Sequence, residues 1–285
     1  MRLKKIFAAI CAAGLLMTGC GSDSGTETKD PASQATINKI GMIAHLNASE
    51  KQMEEYLFKV QAKSHAKVVN HIPVFYDTFN LMLMALDAGN IDEVSTYKCV
   101  AEYVVVKNDK YEIANDAWIK GLADNFCFAV KKEDAQLKND LDKVLDEMKS
   151  DGSLEKLINE YITNVDKGKN PPAIEIPKVE GAETIKVGVT GDLPPFDLIL
   201  ADNTPAGFNT ALLAEVAKRL NKNIELVQID GGARAAALNS EQIDVIFWVI
   251  VPEGNNLPSD IDKPEGIELS APYFKDDVAH LKLKQ

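Results

Sequence analysis

Twice along this chain a strand pattern gives way to a helix and then to another strand, and that repetition limits the fold more than any other feature. The first series runs from the strand KIGMIA at 39–44 through the loop HLNAS to the helix SEKQMEEYLFKVQ, then HIPVFY, TFNLMLMALDAG and IDEVSTY. Ser49 with Gln52 three residues on makes a capping box, and Gly89 stops the second helix. The second series opens with the strand IKVGVTG at 185–191 and the loop DLPPFDLILADNTPAG. FNTALLAEVAKRLNK, IELVQI, ARAAALNSE and IDVIFWVIV follow as helix, strand, helix and strand. Such alternation predicts an α/β fold with parallel sheets in two lobes. ALDAGNID at 85–92 and ALNSEQID at 237–244 share the pattern A-L-x-x-x-x-I-D, each closing a helix and opening a strand.

Between the two series lies EDAQLKNDLDKVLDEMKSDGSLEKLINEYI, helical with a break at Asp151 and Gly152. Leu137, Leu141, Val144, Leu145 and Met148 recur at spacings of three and four, so one apolar face must dock on something. The Pro, Gly and charge content of 164–183 then reads as a linker.

The opening MRLKKIFAAICAAGLLMTGC has a basic head, an apolar run and small residues before a cysteine, the pattern of a secretory signal at 1–19. It is too short to span a bilayer as a helix. Met17, Thr18 and Gly19 before Cys20 are similar to a bacterial lipobox, which implies lipidation of Cys20 and a protein held outside the cytoplasm on the membrane. The polar stretch that follows, up to residue 37, reads as a flexible tether. Removing Arg2, Lys4 and Lys5 with the signal takes the formal charge from −12 to −15, which repels phosphate backbones and excludes nucleic acid as a partner. Cys99 and Cys127 remain for an oxidising compartment, and spacing alone leaves their pairing open. No CxxC or histidine cluster marks a metal site, and no cofactor is implied.

The motifs resemble those of family 3 extracellular solute-binding proteins, the type II periplasmic-binding fold that serves amino-acid ABC transporters. That family's first lobe is matched by Val187 to Phe196, Gly207 and Phe208, Ala217 to Leu220, Ile243 to Ile246, and Ser270 to Tyr273. KIGMIAHLNASE, ALDAGNIDE, FCFAVKKED and LDEMKSDGSLEKLINEYI resemble its second lobe and terminal helices. Here the second lobe comes first, so the resemblance implies a circularly permuted two-lobed fold with a central cleft. It divides into a second-lobe-like part at 38–125, a crossover strand and helices at 126–163, the linker at 164–183, and a first-lobe-like part at 184–285. Permutation predicts that helix 134–148 packs on 184–285, that Lys39 and Lys284 meet at the hinge, and that a single covalent crossover near 122–131 leaves closure unusually free. The rival arrangement is a pair of half-domains completed by a second molecule.

Ligands of such sheets lie beyond the carboxyl ends of the strands. Arg234 in GGARAAAL is the foremost candidate, because a guanidinium can grip a carboxylate by two parallel bonds. A solvated surface arginine is its plainer reading. Trp248 and Phe196 are candidate stacking aromatics, with core packing as the alternative. His45, Asn47 and Ser49 fall where the family offers a helix N-terminus to its ligand, although Ser49 also reads as a cap. Departures from the family are equally informative. WVIVPEGNN lacks the family's carboxylate-clamping arginine, the acid that takes an α-ammonium falls on Tyr97, and the Asp and Tyr of the opening loop fall on Thr190 and Leu193. With both grips missing, the expected ligand is not an ordinary zwitterion but an organic anion on Arg234 or a more apolar metabolite.

The resemblance therefore implies a monomeric receptor delivering a small solute to an ABC permease. The alternatives are a ligand-free sensing or scaffold lipoprotein, and a dehydratase-like enzyme for which Asp192 is the one loop acid to examine.

Overall fold

The computed structural model describes residues 37–63, 69–253 and 260–285. The signal-like stretch, Cys20 and all of the tether but Ile37 lie outside them.

The N-terminal half folds as β1 (Ile37–Ile43), α1 (Glu50–Lys63), β2 (Asn70–Tyr76), α2 (Phe79–Asp87), β3 (Glu93–Tyr97), α3 (Lys98–Lys107) and β4 (Tyr111–Ile113). β5 (Ala123–Lys131) carries the chain to α4 (Ala135–Ser150) and α5 (Ser153–Ile158), which continues into a π-helical turn. The C-terminal half comprises β6 (Thr184–Val189), the small three-stranded sheet of β7 (Asp192–Leu193), β8 (Asp197–Ile199) and β9 (Pro205–Ala206), and α6 (Phe208–Leu220). β10 (Asn223–Gln228), α7 (Arg234–Asn239), β11 (Val245–Glu253), β12 (Ile267–Leu269) and β13 (Phe274–Leu283) complete it.

The main sheet runs β10-β6-β11-β5-β13-β3-β1-β2, with β12 on β5 and β4 on β13. Its two ends mirror each other. On one side β10, β6 and β11 are parallel and meet the antiparallel β5; on the other β2, β1 and β3 are parallel and meet the antiparallel β13. The two A-L-x-x-x-x-I-D stretches lead into the equivalent strands β3 and β11, so the echo in sequence marks equivalent places in the two lobes.

Two strands, not one, pass between the lobes. Phe274 to Asp277 of β13 pair with β5, whereas Val278 to Leu281 pair with β3. The linker also departs from a loose connection. Lys169 and Gly168 carbonyls accept from Tyr103 and Lys107 of α3 at 2.9 and 3.0 Å, Ile174 N–H donates to Pro205 O, and Val179 N–H donates to the Asn223 side chain. This strap ties the N-terminal lobe to the C-terminal lobe.

α4 turns its five periodic apolar residues inward and packs on α6 and β5, in the C-terminal lobe. Asp142 accepts from Ala271 N–H, and Arg219 of α6 bonds Asp151 and Ser153 at the α4–α5 junction. Gly41 on β1 and Leu281 on β13 both face Val94 of β3, which puts them about two strand spacings, or about 10 Å, apart. The start of β1 and the end of β13 are neighbours at the outer end of the N-terminal lobe rather than at the hinge. Cys99 and Cys127 are separate buried thiols; burial raises both, Cys127 to about 11, which keeps them unreactive near neutral pH.

Candidate functional site

The carboxyl ends of β1, β2 and β3 face those of β6, β10 and β11, and the lobes are stitched together across that gap. Gly231 N–H donates to Asp77 O at 2.8 Å. A Cβ on Gly231 would stand 2.9 Å from Ile43 Cγ2 and 3.0 Å from Asp77 O, so the glycine serves a close approach between lobes and not only a tight turn. Asp192 accepts from Asn80 N–H at the start of α2 at 3.0 Å. Burial raises the Asp192 carboxyl to about 6, with the Asn80 bond opposing and Asp197 reinforcing the shift.

Arg234 sits at the centre, only 1% exposed. Its Nε donates to Gly231 O at 3.0 Å, one terminal nitrogen to Trp248 O at 2.9 Å, and the other to Ala44 O of the opposite lobe at 3.1 Å. The guanidinium carbon lies 4.2 Å from the centre of the Trp248 ring. A break in the β5–β11 register between Ile246 and Val249 frees the Trp248 carbonyl for this bond and the Phe247 carbonyl for Tyr273 OH. Burial pulls the guanidinium below its ordinary pKa while Asp262 and other groups oppose the shift. Arg234 therefore lies in the cleft with three of its five N–H donors taken by backbone carbonyls. An organic anion would have only the two remaining N–H groups unless it displaced those carbonyls.

The loop before α1 is likewise occupied. Asp262, from the C-terminal lobe and 1% exposed, accepts from Leu46 N–H at 2.5 Å and from Asn47 N–H at 3.3 Å. His45 Nδ1 stands 3.3 Å from the same carboxyl, off the axis needed for a hydrogen bond. Asn47 also reaches Ile261 O. Ser49 closes the capping box with Gln52, exposed to solvent, so capping is the role its bonds describe. The Tyr97 hydroxyl donates to Asp124 of β5 at 3.0 Å. Burial pushes Asp124 to about 6 against the Tyr97 bond. The crossover strand thus brings a carboxyl to Tyr97.

Phe196 and Thr190 turn out to be framework. Phe196 is buried among Phe126, Phe208, Phe247 and Phe274, the packing role that stood as its alternative. Thr190 donates its N–H and hydroxyl to Asp197, which also receives Asn209 and folds the PPFD loop around itself.

A cavity of about 110 Å³ runs from Arg234, Trp248, Tyr97, Asp124 and Asp262 into the N-terminal lobe, beneath α1, to Trp118 and His280. Met53, Leu57, Val60 and Ile119 give it apolar walls. Beyond its inner end Glu93 bonds His280 at 2.7 Å and Asn38 at 3.1 Å, and Asp116 lies near. Burial raises Glu93, but the bond to and charge of His280, with Asn38 and His71, together outweigh that and leave it below the usual range. Glu93, Asp116 and His280 offer ligand atoms within 4.8 Å of one another, a convergence invisible in a sequence where they lie far apart. Asp124 and Asp262 were missed as well, since neither belongs to a recognisable motif.

Mirrored α/β lobes joined by two strands, with a cavity between them, define a two-lobed type II periplasmic-binding fold. The sequence profile of the bacterial extracellular solute-binding proteins, family 3, matches residues 38–164 and 185–253, and the chain belongs to that family. Among solved structures, the ligand-binding component of an ABC-type import system from Staphylococcus aureus, determined with zinc bound, is 11% identical with a TM-score of 0.43, over 87% of this chain and 66% of its own. The methionine-binding protein MetQ is 12% identical with a TM-score of 0.40, over 87% and 83%. The substrate-binding protein of an amino acid ABC transporter is 14% identical with a TM-score of 0.40, over 87% and 85%. A search of curated proteins gives no match. Among the described residues no helix is long and apolar enough to cross a membrane.

Proposed function

We propose that this chain is a lipid-tethered receptor, outside the cytoplasm, that closes on a small solute and passes it to an ABC-type permease. Cys20 carries the anchor, the protein acts as a monomer, and the ligand is not a standard zwitterionic amino acid. One observation carries the ligand reading: the groups that would hold a zwitterion are bonded to the protein itself, Arg234 to three carbonyls and the α1 loop to Asp262. The reversed order of the lobes is read as a circular permutation, supported by the nearness of the start of β1 to the end of β13 and by α4 packing on the lobe that follows it in sequence. No catalytic role is assigned. Asp192, the loop acid of the enzyme alternative, faces α2 and not the cavity. The same interlobe bonds favour a second reading, a sensing or scaffold protein that holds itself closed without ligand.

A thermal-shift screen against amino acids, organic acids, nucleosides and peptides separates the two. A ligand at a hundred times its Kd adds about 2.7 kcal/mol, well within detection. A hit supports the receptor; silence across the library supports the scaffold.

A further inference from the structure

Resting on the receptor reading, we propose that the cavity takes an uncharged, mainly apolar solute with one hydrogen-bond acceptor, and that Asp262 fills the place a ligand's carboxylate would take. Trp248 is 5% exposed, lines the cavity, and its Nε1–H has no partner. A buried donor left unpaired costs on the order of 1–3 kcal/mol, so a solute acceptor at this point recovers a bond that the protein itself does not make.

Most other donors near the cavity are already engaged, the exceptions being His45 Nδ1 and two of the five Arg234 N–H groups. Leu46 N–H and Asn47 N–H hold the Asp262 carboxyl, and all three nitrogens of Arg234 hold carbonyls. A solute carboxylate would find those donors occupied, and it would enter beside Asp124 and Asp262. An ammonium would find Asp124 already bonded to Tyr97 and Asp262 to the loop N–H groups, would stand beside the buried Arg234 guanidinium, and would leave water for walls of Met53, Leu57, Val60, Trp118 and Ile119. An uncharged solute avoids both conflicts. Its apolar part fits beneath α1, and its acceptor faces Trp248.

Four solutes that share one branched carbon skeleton test this: isovaleramide, isovalerate, isoamylamine and leucine. The protein has two tryptophans, Trp118 and Trp248, and both line the cavity, so intrinsic fluorescence reports directly on it. Isovaleramide is expected to give a saturable change, with the charged three at least about tenfold weaker. Trp248→Phe weakens isovaleramide about fivefold to tenfold, the loss of one hydrogen bond. Asp262→Ala frees the Leu46 and Asn47 N–H groups and lets isovalerate bind, a gain that misfolding does not mimic. Isovalerate, isoamylamine or leucine binding the unaltered protein as tightly as isovaleramide overturns the inference, as does no response to any of the four. A hit elsewhere in the thermal-shift screen then leaves the receptor reading standing, whereas silence there as well removes it.

Discussion

Replacing Arg234 with methionine separates a ligand grip from a structural clamp. Methionine keeps much of the apolar stem and removes the guanidinium. In the structure that guanidinium makes three bonds at 2.9–3.1 Å to carbonyls of Gly231, Trp248 and Ala44, and stacks on Trp248. Hydrogen bonds from a charged donor contribute about 1.5–3 kcal/mol each, but burying the charge opposes them, as the depressed pKa of Arg234 shows. Breaking a buried charged network of this kind costs about 3–5 kcal/mol. Against a total stability of about 5–15 kcal/mol, that is a large loss. Equilibrium unfolding in urea, followed by circular dichroism, should show an unfolding free energy lowered by that amount, as a lower midpoint with little change in slope. Arg234→Lys should recover less than half, because one ammonium cannot reach carbonyls on three segments. A methionine variant within about 1 kcal/mol of the parent would refute the clamp and restore Arg234 as a free anion grip.

Other outcomes follow from the same geometry. Asp124 and Asp192 are both raised to about 6 by burial, so the native state binds protons that the unfolded chain releases near 4; their contribution is fully present below about pH 4 and is lost as pH rises through 6. Asp192→Asn should therefore gain on the parent in unfolding free energy as pH rises from 5 to 7.5, by about 1.4 kcal/mol; parallel profiles would disprove it. Gly231→Ala places a Cβ against Ile43 and Asp77 across the cleft, and should increase the radius of gyration by small-angle scattering without unfolding either lobe. An unchanged radius would mean that the lobes do not close through this contact. Restoring the order of the lobes, with Lys284 joined to Lys39 by a short flexible linker and the chain opened within 164–183, should preserve folding, because the gap to bridge is about 10 Å. Failure to fold would count against permutation.

What was legible in the sequence was local. The helix at 208–220, its partner strand at 184–189 and the Ser49–Gln52 cap each rest on neighbours a few residues apart, and each is present. KCVAEYVVVK resisted reading because its β-branched run favours a strand, whereas packing against β13 makes it a helix. β13 carried no turn signal to announce that one strand serves two lobes. The site was least legible. Arg234 reaches Ala44 across 190 residues, and Asp262 reaches Leu46 across 216, so the bonds that decide which groups remain available to a ligand exist only once the chain has closed. The linker failed for a related reason: its composition is that of a loose segment, but its carbonyls find donors on α3.

Titration calorimetry with the twenty standard amino acids tests most directly the claim that this cleft has given up the zwitterion grip. No binding tighter than about 1 mM is expected for any of them. Micromolar binding of even one would mean that Arg234 and the α1 loop release their internal partners for a ligand, and would contradict that claim.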